Sequence, residues 1–247
     1  MLAAGCLMPG FAEAAGFAEA AVLQKFSQNN KPFNVEHTPG EKTTTITAVS
    51  GIAEDTIGIG WASYNDVEGY TINVKGVSSA NLLTITPVID IRGGYASGGN
   101  ATSNTVDISN VKFEDSAYIY GGRSQVSGDV TGNAVTINGT IEFSGETRIF
   151  GGQSDNSDAA ITNNTVTING TIEFSGETRI FGGQRYKGEV KGNTVTFNSD
   201  TVDGITTFTN KNSFIFGGAS DQGQAINNTV EINGNTTFNS DSQIYGG

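Results

Sequence analysis

The sequence predicts an all-β chain built as a parallel β-helix, a β-solenoid of about five to six coils of roughly 30 residues, behind a short helical N-terminal segment. Three observations predict it. The stretch VTINGTIEFSGETRIFGGQ occurs at 135–153 and again, unchanged, at 166–184. Gly pairs end at Gly94, Gly122, Gly152, Gly183, Gly218 and Gly247, in steps of 28, 30, 31, 35 and 29 residues. Each unit also carries Asn-x-Val-x-Ile/Phe, opening at Asn104, Asn133, Asn164, Asn193 and Asn228, with an aligned Phe at Phe113, Phe143, Phe174, Phe208 and Phe238.

The elements follow in chain order. MLAAGCLMPGFAEAAGFAEA, residues 1–20, reads as the remnant of a signal peptide: an apolar run, then small-x-small sites at 12–14 and 18–20, with no basic n-region before it. The other reading of this segment is a short amphipathic helix. AAGC around Cys6 is close to a lipoprotein box, but Ala3 stands where Leu is usual. Residues 21–55 form a lead-in or cap. Residues 56–94 hold one or more degenerate first coils, because TIGIGWASYNDVEGYTINVKG (56–76) is a worn copy of the unit. Five repeats fill the rest: 95–122, 123–152, 153–183, 184–218 and 219–247. With one Cys no intrachain disulfide forms, and no stretch is long enough for a membrane-spanning helix.

Each unit reads as three short strands, as in Val135–Ile137, Ile141–Phe143 and Arg148–Phe150. Asn138-Gly139 and Ser144-Gly145 separate them, and a Ser/Asp/Asn-rich loop of varying length follows the Gly pair. Asn-Gly between alternating strands is also a hairpin signal. A two-residue hairpin would pair Ile137 with Thr140 and put Val135 and Ile137 on the opposite face from Ile141 and Phe143. A three-residue loop restores parity, but its spacing does not recur, since the first unit has ISNVKF and the fourth an insertion at 199–204. A coil corner tolerates both, and insertions confined to loops are a solenoid habit.

Parity then assigns positions. Val135, Ile137, Ile141, Phe143 and Ile149 point inward, and Ile119, Ile149, Ile180, Ile215 and Ile244 form a continuous inner stack. The Asn that opens each first strand shares that parity, so an amide ladder at an inner corner is expected. Gly122, Gly152, Gly183 and Gly218 are expected to supply positive φ at a corner. Tyr120, Phe150, Phe181, Phe216 and Tyr245 alternate with the inner Ile and can stack outside, with Arg92 lying on Tyr120 as a cation–π cap. Core packing at the corner and a carbohydrate-binding aromatic stripe are the other readings of that row. Thr165/Thr167 and Thr194/Thr196 give the pattern of an ice-binding face, but Asp107, Ala134 and Glu231 interrupt it in other coils. Glu146/Arg148 and Glu177/Arg179 offset each other on the surface.

No catalytic, cofactor-binding or metal site is legible, and no cofactor is called for. The single His, His37, lies outside the repeats and on no motif. The acids are scattered, with Asp155 and Asp158 in one loop and Asp200 and Asp203 at another corner. GGQSDNSD and GGASDQGQ lack the period and third Gly of calcium-binding nonapeptides. Asn138-Gly139-Thr140 matches a glycosylation triplet, as an Asn/Thr-rich composition produces by itself. A formal net charge of −12 argues against nucleic acid as a partner, because phosphate binding needs a basic stripe.

NTVTING…IEFSG…RIFGG repeated about every thirty residues resembles the passenger repeats of bacterial autotransporters, the type V secretion proteins, over roughly 88–247. The resemblance implies a signal peptide, a right-handed β-helical passenger exported to the cell surface or secreted, and a C-terminal β-barrel in the outer membrane of a Gram-negative-type bacterium. The barrel would be the only membrane contact. The array itself carries no barrel, so a fragment of a longer protein is expected. Many such passengers act as adhesins. The expected function is therefore a non-enzymatic solenoid stalk or adhesin with a host or cell-surface ligand, protein or glycan. The alternative is a β-helical polysaccharide-degrading enzyme or carbohydrate-binding solenoid, which would need a convergent acid cluster with Arg or Lys in one groove.

Overall fold

A computed structural model of the chain describes residues 33–38, 42–48, 57–86, 88–155, 159–199, 204–210, 212–239 and 241–247. These residues form a parallel β-solenoid of about six turns, with no helix among them. The expected helical or signal-like segment at 1–20 lies outside the described residues.

Every turn visits three sheets. A seven-stranded sheet takes the strand containing the Gly pair, a six-stranded sheet takes a two-residue strand in the following loop, and a twelve-stranded sheet takes the Asn-x-Val-x-Ile/Phe strand and its continuation. Thr147–Ser154, Ile161–Thr162 and Thr165–Asn169 with Thr171–Phe174 make one such turn. Strands stack parallel and in register on their repeat equivalents. Ile149 aligns with Ile119 and Ile180, and Val166 with Val135 and Val195. Every backbone group in a ladder thus finds its partner one coil away, and like side chains fall on like. Residues 57–76 pair in this way with the coil that follows, Ile57 on Ile89 and Thr71 on Thr105.

The N-terminal end departs from this pattern. Phe33–Thr38 (β1) runs antiparallel to Thr43–Ala48 (β2), which itself joins the long sheet parallel to Thr71–Gly76. Phe33–Thr38 is the outermost described strand of the long sheet on that side.

Alternation fills the interior. Ile119, Ile149, Ile180 and Ile215 are completely buried, whereas Ile244, in the last strand, is 39% exposed. Phe113, Phe143, Phe174, Phe208 and Phe238 stack face to face with centroids 4.6–4.9 Å apart. One coil rise sets that spacing.

Three sequence expectations change. The first two strands of a unit share one sheet, and in Ala134–Phe143 they are one strand bent at Asn138-Gly139, where Gly139 has a φ of 71°. The Asn-Gly step is therefore a bend within a strand and not a hairpin. The loop after the Gly pair contributes a third, two-residue strand. Finally, the Gly pairs lie inside strands, and none of Gly122, Gly152, Gly183 and Gly218 has a positive φ. Space decides these glycines: a Cβ on Gly152 would stand 2.5 Å from Asn164 Cγ, and one on Gly183 2.6 Å from Asn193 Cγ.

Candidate functional site

A solenoid can present chemistry inside, on its flat faces or at its turns. Inside, the repeated polar group is the Asn column Asn104, Asn133, Asn164, Asn193 and Asn228, all buried. In each step the backbone N–H and Nδ2 of one Asn both donate to Oδ1 of the next. For Asn133 and Asn164 these bonds measure 3.0 and 2.9 Å. A second Nδ2 hydrogen goes to a carbonyl of the short strand one coil back, Ala101 for Asn133 and Val130 for Asn164. In the first turn Tyr70 replaces Asn, and its backbone N–H alone donates to Asn104 Oδ1 at 3.1 Å. The column is a structural ladder, as its parity predicts. Its amide groups are committed to backbone and to each other, and buried polar groups are stable in that state.

The outer face of the seven-stranded sheet carries the second aromatic row. Tyr120, Phe150, Phe181, Phe216 and Tyr245 stack nearly parallel at 5.0–5.3 Å. Tyr120, Phe150 and Phe181 are buried although they face away from the core. The cap differs from expectation. The Arg92 guanidinium turns to Asp90 on its own strand, at 2.5 Å, and lies over Tyr95 at 4.6 Å. Arg123 lies over Tyr120 instead, at 5.3 Å, and reaches Asp155 of the next coil at 2.8 Å. Burial works to lower the Arg123 pKa, but its hydrogen bond and charge pairing with Asp155 outweigh that and raise it. Burial, helped by the charge of Asp90, raises the Tyr120 phenol. Because each ring covers its neighbour's face, the ring faces are occupied along the row up to Tyr245, which is 50% exposed at its end.

The outer face of the long sheet is polar. Thr136, Thr167 and Thr196 align, with Asp107 before them and Glu231 after. Beside them runs a column that sequence reasoning did not single out: Asn138, Asn169, Asn198 and Asn233. Asn169 Nδ2 donates to Asn138 Oδ1 at 2.8 Å, and Asn138 Nδ2 to Asp107 Oδ1 at 3.0 Å. Its signal was available, since an Asn recurs five residues after each ladder Asn from Asn133 onward. At the adjoining corner, Arg148 meets Glu146 at 2.5 Å and Arg179 meets Glu177 at 2.6 Å, as expected.

Two open hollows mark the surface. One of about 410 Å³ is lined by Phe181, Gln184, Phe216, Ala219 and Tyr245, where Ala219 follows Gln184 in register and opens the wall. The other, about 360 Å³, lies at the bend of the duplicated coils between Asn138-Gly139-Thr140 and Asn169-Gly170-Thr171. Neither gathers a base with a nucleophile. Among the described residues no group of three His, Cys, Asp or Glu is placed to hold a metal ion. Asp155 is paired with Arg123, while Asp158, Asp200, Asp203 and the His37 side chain lie outside the described part. No helix among the described residues is long and apolar enough to cross a membrane.

Comparison with protein-family models, with curated proteins and with solved structures gives no match.

Proposed function

We propose that this chain is a non-enzymatic, surface-exposed or secreted solenoid, the stalk of an adhesin, and part of an autotransporter passenger. The coils wind right-handed in this reading, the sense that strand–crossover–strand connections in parallel sheets adopt. The observation that carries the proposal is that the repeated amides, rings and arginines are committed to partners within the array. The inner amides bond along their ladder from coil to coil, the outer rings cover one another, and Arg148 and Arg179 hold Glu146 and Glu177 two residues back on their own coils. Such an arrangement builds length and stiffness. The resemblance of the repeats supplies the surface location and the ligand class, a host or cell-surface protein or glycan.

Antibodies raised against the purified chain test the location. They should label intact producing cells, and external protease should remove the label. Labelling that requires permeabilised cells overturns the surface reading. Incubation with acidic and neutral polysaccharides should release no oligosaccharides, and release of unsaturated products would favour the enzyme alternative instead.

A further inference from the structure

We propose that Asn138 is a self-modification site, at which the folded chain converts the side-chain amide to aspartate or isoaspartate with water as co-reactant. The chain contains Asn-Gly at 138–139, 169–170 and 233–234, and nowhere else. All three steps fall in the outward Asn column at the bend of the long sheet. The fourth member, Asn198, is followed by Ser199, whose side chain is buried. The column therefore contains its own comparator.

The chemistry needs a flexible following residue with an accessible amide. The backbone nitrogen of Gly139 attacks Cγ of Asn138 and gives up its proton. A C–N bond forms, the Cγ–Nδ2 bond breaks, and ammonia leaves. Water then opens the cyclic imide at either carbonyl, giving aspartate or isoaspartate. Gly139 suits the attack: it is exposed, has a φ of 71° and has no Cβ to obstruct ring closure. It also lies off the ladders. Pairing with the coil before stops at Asn138 and resumes at Ile141, and pairing with the coil after stops at Ile137 and resumes at Thr140. Gly170, with a φ of 103°, occupies the equivalent gap opposite Gly139 but is buried, and Gly234 is paired with Ser199 in the ladder, so neither Asn169 nor Asn233 meets both conditions.

Isoaspartate adds a carbon to the backbone, and this bend absorbs changes of length. Between the aligned positions it contains residue 110 alone in one coil, 139 and 140 in the next, and 199–205 two coils later. The inward stacks stay in register through all of these. The surface does change: loss of the Asn138 amide replaces its bond to Asp107 with two facing carboxylates, near Lys75, which lies 3.4 Å from Asp107. Each conversion adds one negative charge to a net of −12.

The test incubates the full folded chain at mildly alkaline pH, then digests it and locates mass gains by fragmentation. Asn138 should convert to a mixture of aspartate and isoaspartate at least an order of magnitude faster than Asn169 and Asn198. The β-type circular dichroism and melting midpoint should be retained. Equal persistence of the amides at all three positions overturns the proposal. So does conversion that occurs only when denaturant is added, because the ladder then protects the step. Loss of the fold on conversion would refute the claim that the bend absorbs the extra carbon.

Discussion

At position 152 a Cβ would stand 2.5 Å from Asn164 Cγ, and that amide is held on two sides by its ladder. Gly152→Ala should therefore overpack the corner and cost about 1–3 kcal/mol in a denaturant melt. A variant as stable as the parent would mean that the ladder has slack. The inner stack gives a sharper contrast. Ile180 is completely buried between Ile149 and Ile215, so Ile180→Asp leaves an unpaired charge there and should cost roughly 3–5 kcal/mol or more. Thr167→Asp on the outer face should cost about 0.5 kcal/mol or less. Equal losses in the two melts would refute the inward and outward assignment. At this scale the recurrence of glycine was legible but its cause was not. The residue that requires Gly152 is twelve positions on, just before another strand, so sequence cannot tell a missing Cβ from a positive φ. Arg92 misled for a similar reason: register puts it beneath Tyr120, but Asp90, two residues earlier on the same strand, takes the guanidinium.

Strands were legible where they alternate for several residues and pack like on like. Val135, Ile137, Ile141 and Phe143 identify an inward face, and the recurring Asn identifies the amide ladder because its parity matches theirs. Pairs such as Val130–Thr131 are too short to show a period, so the six-stranded sheet built from them looks like loop in the sequence. The outward Asn column is hidden in the sequence because three of its four members precede Gly and look like turn residues. The outer aromatic row was placed by alternation, and its burial makes a prediction about pH. Burial and the charge of Asp90 raise the Tyr120 pKa above its usual 10.0. The folded chain therefore keeps the phenolic proton to higher pH than the unfolded chain. The resulting stabilisation is complete below 10.0 and is lost as pH rises through the raised folded value. Thermal melts should consequently decline above that pH, and Tyr120→Phe should make the decline shallower while leaving the ring stack intact. Superimposable alkaline profiles for the two proteins would remove Tyr120 as a cause.

For the whole molecule, stability in a stacked array is close to a sum of coils and the interfaces between them. The identical stretches 135–153 and 166–184 let that be tested by subtraction. Deleting Val135 through Thr165 joins Ala134 to Val166 and restores the reading NAVTINGTIEF, with Asn133 still at its corner. Asn133 then meets Asn193, Ile119 stacks on Ile180, and Phe113 on Phe174, each a pair of the kind already present in neighbouring coils. Some contacts have no replacement. Arg123 loses Asp155, Gln184 loses Gln153, and the Arg185 guanidinium loses the Ala159 carbonyl it contacts. The shortened chain should therefore keep its β circular dichroism, melt at a modestly lower temperature, and scatter as a rod shorter by about 5 Å. Restoring a partner for Arg123 in the adjoining loop should recover part of the lost stability. If the two coils are spacers, binding to any surface ligand survives the deletion unchanged. Collapse of the fold, or loss of a specific binding or catalytic activity, would show that the duplicated coils carry a site of their own and would end the stalk interpretation.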